Sequence, residues 1–185
     1  MSEELQETRT QEIARVRSYL ASQAMRRTIP QITESVQQAH QQFLTAVSTV
    51  PAAFMAATPR VGEWSALDVL LHVRTVAALE LSGLTRVLVD GVKPPDIHDA
   101  LVTAPAETTC EALLAELEDL RARQLALALS ADPDSHLQIT WGHSEFGQMH
   151  WREWLLFSRV HILDHARQIQ AIVAMLAQEE GEAGS

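Results

Sequence analysis

Residues 151–176 read WREWLLFSRVHILDHARQIQAIVAML, and the reading of this stretch decides the fold. Taken at helical period, Trp154, Ser158, His161, His165, Gln168, Ile169, Ile172 and Leu176 fall on one stripe, the inward face of a bundle helix. Two imidazoles four residues apart lie about 40° apart around the axis and roughly 6 Å along it, so both can reach one ion from the same side. The same pair also reads as two hydrogen-bonded core histidines. A third ligand has to come from elsewhere in the chain.

Working outward from that helix, residues 135–150 alternate Leu137, Ile139 and Trp141 before Gly142, which predicts a short extended or hairpin-like segment. Its histidines His136 and His143 are placed to sit near the mouth of a site, though no spacing requires either. His150 precedes His161 by three helical turns, about 16 Å, and cannot share an ion with the pair. Upstream, Thr108 or Thr109 caps a helix with Leu113, Leu117, Leu120, Gln124 and Leu127 at bundle spacing, stopped at Asp132-Pro133-Asp134. Residues 92–106, stiffened by Pro94, Pro95 and Pro105, read as a loop in which His98 is solvent-exposed.

Residues 64–90 open with Ser65 as a helix cap and Asp68 in the place of the capping-box acid. The helix that follows is apolar nearly all round, from Leu67 through Val76 to Leu84, as a central helix is. His72 sits in its middle and is the candidate third ligand. Residues 31–50 predict another helix, with Ile32, Val36, Phe43 and Val47 on its apolar face; His40 flanks that face among glutamines and reads as surface or boundary. Residues 2–25 predict a first helix whose apolar stripe (Leu5, Ile13, Val16, Leu20) is thin, so it belongs on the outside of the domain or against a partner subunit. The organisation expected is a helical extension over 1–27, a four-helix bundle over 28–178 and a flexible tail over 179–185.

At 185 residues the chain is one domain in size, and 46% apolar residues suffice for a proper core. No segment is apolar over the roughly 18 residues a membrane span needs, and the polar N-terminus carries no signal-like core, so no membrane role and a cytoplasmic location are expected. The formal charge is −10, with dispersed arginines and a single lysine, Lys93. Nucleic-acid binders concentrate basic charge along a groove, so that class is disfavoured. The lone Cys110 cannot form an internal disulfide or a thiol metal pair, and nothing beside it activates it as a nucleophile.

Known helical sites can be tested against the spacing. A zinc-protease helix needs glutamate directly after its first histidine, where Ile162 stands. A di-iron bundle needs Glu-x-x-His, and no histidine here has glutamate three residues before it. No Gly-x-Ser-x-Gly marks a serine nucleophile. A site of neutral imidazoles on two helices, with open positions for water or substrate, survives.

Trp64-Ser65 before a helix carrying His72, then Phe146-Gly147, then His161-x-x-x-His165-x-x-Gln168-Ile169 resemble the DinB/YfiT-like proteins over about residues 31–177. The resemblance implies an all-α fold, a DinB-like four-helix bundle to which the first helix is an addition, often as a homodimer. It also implies a divalent metal, zinc or nickel, with His72, His161 and His165 as ligands. Relatives of this kind include transferases joining a low-molecular-weight thiol to an electrophile, and a mycothiol-dependent isomerase.

Three functional readings follow. One is a metal-dependent enzyme of the thiol S-transferase type, or hydrolase-like, with a small-molecule thiol or electrophile as partner and Asp164 or Asp68 orienting a ligand imidazole. Another is a non-catalytic, metal-stabilised binding or stress-response module. The third is a metal-free structural bundle. The thin first helix and the apolar belt of the second further suggest a homodimer.

Overall fold

The computed structural model describes residues 2–98, 104–105 and 107–183, with side chains described over 8–98, 104–105 and 107–179. The middle of the loop expected over 92–106, and most of the tail expected over 179–185, lie outside those side chains. Among the described residues five α-helices follow one another: α1 (Ser2–Arg26), α2 (Ile29–Ser48), α3 (Ala66–Leu88), α4 (Cys110–Ser130) and α5 (Trp151–Ala183). A hairpin of β1 (Thr140–His143) and β2 (Gly147–His150) leads directly into α5. The fold is all-α apart from this hairpin.

Local chemistry sets the helix starts. Thr28 and Gln31 form a reciprocal capping box, so α2 begins at Ile29 with Pro30 in its first turn. That is earlier than the sequence reading, because proline lacks only an N–H that a first turn leaves unpaired anyway. Ser65 and Asp68 form a second box at α3, and Thr109 caps α4. Helix α5 starts where the Glu153 carboxylate accepts from the backbone N–H of His150 at 3.0 Å. The predicted hairpin is present, pairing Trp141 with Met149, and Gly147 adopts φ +68° at its turn.

Helix α2 packs chiefly on α5 and α3 chiefly on α4, while α3–α5 and α2–α4 contacts close the bundle. The apolar belt of α2, one of the two features from which a homodimer is expected, is buried within the chain itself (Ile32, Val36 and Phe43 fully). Two apolar clusters fill the interior. One is built on Phe43, Leu70, Leu117, Ile162 and Ile169. The other is built on Ile32, Leu84, Trp141, Trp151 and Trp154, with Trp141 and Trp154 stacked at 5.1 Å.

Along each of α2 to α5 a buried polar residue falls between members of the two clusters: His40 on α2, Glu80 on α3, Arg121 and Gln124 on α4, Ser158 on α5. Arg121 Nη1 lies 3.4 Å from Glu80 Oε2 and also donates to Gln124, whose amide donates to Glu80 and Ser158 at 3.3 Å. Burial pushes the Glu80 carboxyl up, against the pull of Arg121 and these hydrogen bonds. His40 corrects the surface reading: it is 3% exposed, and burial together with Arg121 pushes its pKa down to about 4. No helix among the described residues is long and apolar enough to cross a membrane.

Helix α1 runs outside the bundle against α5. Leu20 and Ala24 are fully buried there, and Arg17 reaches Glu153 at 2.9 Å and the carbonyl of Gln148 at 2.7 Å.

Candidate metal centre

Helix α3 contributes His72 and one face of α5 contributes His161 and His165, and the packing of α3 on α5 brings the three rings together. His161 Nε2 lies 3.0 Å from His72 Nε2 and 3.1 Å from His165 Nε2. All three ligand atoms fall within 4.8 Å of one another, and among the described residues no other trio of metal-ligating side chains converges in this way.

A ring nitrogen carries one proton or one lone pair, so His161 Nε2 can make one good hydrogen bond, yet two ring nitrogens stand at hydrogen-bond distance from it. Neutral imidazoles alone leave that crowding unrelieved; a cation at their focus relieves it. The distances suit such an ion. Ligands about 2.05 Å from a tetrahedral zinc are separated by about 3.3 Å, close to the separations here. The donor set therefore fits a divalent metal.

The surroundings favour the neutral, lone-pair form that a ligand needs. Burial, then the neighbouring His165, His72 and Arg121, hold His161 well below the usual imidazole range. His165 Nδ1 stands 2.7 Å from Gln168 Oε1. An amide oxygen only accepts, so this contact places the ring proton on Nδ1 and leaves Nε2 facing the cluster with its lone pair. Trp64 packs beside His72 at 4.9 Å between ring centroids and beside His165 at 6.3 Å.

Neither acid expected to orient a ligand does so. Asp68 spends its carboxylate oxygens on Ser65 and on the backbone N–H of Ala104 at 2.9 Å. Burial opposes its charge, but those hydrogen bonds outweigh it and hold the carboxyl below its usual range. Asp164 points outward and pairs with Arg167 at 3.0 Å. The orienting group is Gln168, and its signal was in the sequence: a hydrogen-bonding side chain three residues after His165 on the same stripe.

The histidines open onto a cleft of about 380 Å³. Its walls are Trp64, Phe146, Phe157 and Val160, together with Ile13 and Val16 from α1. His143 also lines it; its Nδ1 accepts from the backbone N–H of Glu145 at 3.1 Å, and its ring packs on Phe157 at 4.7 Å. The contribution of α1 was invisible in the sequence, because it depends on ion pairs with residues more than 130 positions away. His98 is exposed, as read. The Cys110 thiol stands away from the cleft and is pushed up by burial and Glu111, the opposite of an activated nucleophile.

The family model of the DinB superfamily matches residues 35–169. No curated protein sequence matches the chain. Among solved structures, TT2238, a four-helix bundle protein, aligns with a TM-score of 0.61 at 24% identity, covering 78% of this chain and 99% of that one. YfiT from Bacillus subtilis, described as a probable metal-dependent hydrolase with an unusual four-helix bundle topology, aligns with a TM-score of 0.60 at 16% identity, covering 83% and 87%. At these identities the two structures speak for the fold. With the ordered motifs, the bundle and the family match in agreement, the chain belongs to the DinB superfamily.

Proposed function

We propose that this chain is a metal-dependent enzyme of the thiol S-transferase type, with His72, His161 and His165 holding one divalent ion, zinc or nickel, at the floor of the cleft. The observation that carries this reading is the convergence of three imidazole nitrogens beneath an open cleft. A divalent ion held by neutral ligands keeps its charge and lowers the pKa of a thiol that reaches it, so that the sulfur is a nucleophile at neutral pH.

The side chains of this chain do the rest. The three histidines fix the position of the charge, and Gln168 fixes the tautomer and angle of His165. Trp64 and Phe157 screen the imidazoles from bulk water, which strengthens electrostatic interactions inside. The nucleophile has to arrive with a cosubstrate, since Cys110 is remote and unactivated. In the reaction a sulfur–carbon bond forms while a carbon–oxygen bond of an epoxide, or the bond to another leaving group, breaks. The proton given up by the thiol balances the one taken by the departing or opened oxygen.

The description of YfiT as a probable metal-dependent hydrolase favours a second reading, hydrolysis at the same site with water in place of the thiol. Incubating metal-loaded protein with an epoxide, with and without a low-molecular-weight thiol, separates the two. Thioether formation that is lost in His161→Ala supports transfer; diol formation independent of thiol supports hydrolysis. Neither product would leave a non-catalytic binding module.

A further inference from the structure

Helix α1 lies wholly outside the residues that the family model matches, yet it forms one side of the cleft. Its residues Arg9, Ile13, Val16, Leu20 and Ala24 recur at four, three, four and four, a single helical stripe. The C-terminal half of that stripe is fully buried, and Arg17 clamps it to Glu153, itself 5% exposed. The N-terminal half is different. Ile13 and Val16 stay half-exposed and look across the opening at Phe146, Phe157 and Val160. Apolar side chains held at an opening on a firmly anchored helix gain stability when something apolar covers them.

The charges around the cleft point the same way. Its two guanidinium groups are occupied, Arg9 with Glu145 at 2.7 Å and Arg167 with Asp164 at 3.0 Å. Glu12 adds a further carboxylate to the lining, 4.0 Å from Arg9. Among the described residues, every arginine on the rim is already paired with a carboxylate, which disfavours a carboxylate or phosphate on the substrate, and the walls are aliphatic and aromatic.

We propose that α1 is the specificity wall of this site. Ile13 and Val16 seat an uncharged, apolar arm of the organic substrate between themselves and Phe146, Phe157 and Val160, next to the reacting sulfur or carbon. This rests on the reading that the three histidines hold an ion that a thiol can reach. It adds that chains of several carbons are selected over short or charged ones, and that the selecting residues belong to the helix outside the family-matched span.

Alkanethiols probe the arm directly. Ethanethiol and hexanethiol are titrated into the cobalt-loaded protein, and dissociation constants are read from the cobalt absorption bands. Each fully buried methylene is worth about fourfold in affinity, so four extra methylenes in a half-open channel should favour hexanethiol by at least about tenfold. In the Ile13→Ser/Val16→Ser protein that preference should fall to about threefold or less, with one cobalt still bound per chain and unchanged circular dichroism. Ile13→Ala alone, which leaves Val16 and the buried half of the stripe intact, should give an intermediate ratio. A wild-type preference below about twofold, or a preference that the serine variant retains in full, overturns the proposal while leaving the thiol reading intact. Bound cobalt whose spectrum neither thiol perturbs overturns the thiol reading itself, and the proposal with it.

Discussion

Replacing Gln168 with leucine tests a support to the proposed ligand His165 that rests on a single atom. The substitution keeps the approximate bulk of the side chain and removes the amide oxygen 2.7 Å from His165 Nδ1. With that acceptor gone, the proton is no longer held on Nδ1, and tautomers with the proton on Nε2, facing the site, become populated. A net hydrogen bond of about 0.5–1.5 kcal/mol sets a minimum penalty of roughly 2- to 13-fold in metal affinity. Loss of orientation adds to this, and second-layer partners of metal-bound histidines typically contribute about 10–100-fold. We therefore expect the zinc dissociation constant of Gln168→Leu, measured by competition with a fluorescent chelator, to rise about 10–100-fold with stoichiometry still one at saturation. Gln168→Glu, which restores an acceptor, should bind at least as tightly as wild type. A leucine variant within threefold of wild type would refute this reasoning, as would a glutamate variant as weak as the leucine one.

Other predictions concern the buried polar layer. His40 has a folded pKa of about 4 against an ordinary 6.5, so its neutral burial contributes stability that is present above pH 6.5 and lost as pH falls toward 4. The full shift would amount to about 2 kcal/mol by pH 5 and 3 kcal/mol by pH 4; allowing for solvent screening, His40→Leu should lose about 1–2 kcal/mol less than wild type between pH 7.5 and 4.5 in urea melts. Equal losses would rule this out. Arg121→Met leaves the Glu80 carboxylate buried beside no guanidinium and should cost about 3–5 kcal/mol at pH 7. Glu80→Leu/Arg121→Met should recover most of that, and a double variant as unstable as the single one would contradict the account.

Much of this is legible in the sequence alone. The last helix announced its inward stripe by period, and Ser65 with Asp68 marked the start of α3 through a capping box that is present. The alternation of Leu137, Ile139 and Trp141 signalled the hairpin. His72, His161 and His165 were named together from spacing and resemblance, and the structure brings them together.

What escaped the reading has physical causes. His40 sits among glutamines, and a one-dimensional pattern does not reveal that α4 and α5 close over its side of α2. Glu80 and Arg121 are buried as an ion pair, a pairing across 41 residues that no local propensity encodes. Helix α2 begins two residues before the predicted 31, because a first turn tolerates Pro30. Helix α1 became part of the cleft through Arg9–Glu145 and Arg17–Glu153, contacts that neither partner betrays in sequence.

The central claim is that His72, His161 and His165 hold one divalent ion, and elemental analysis of protein purified without an affinity tag tests it most directly. The wild-type chain should carry about one equivalent of zinc or nickel, and His161→Ala, which removes the nitrogen shared by both short contacts, should carry close to none. His72→Ala and His165→Ala should each fall well below one equivalent. A full equivalent retained by all three variants alike would contradict the account.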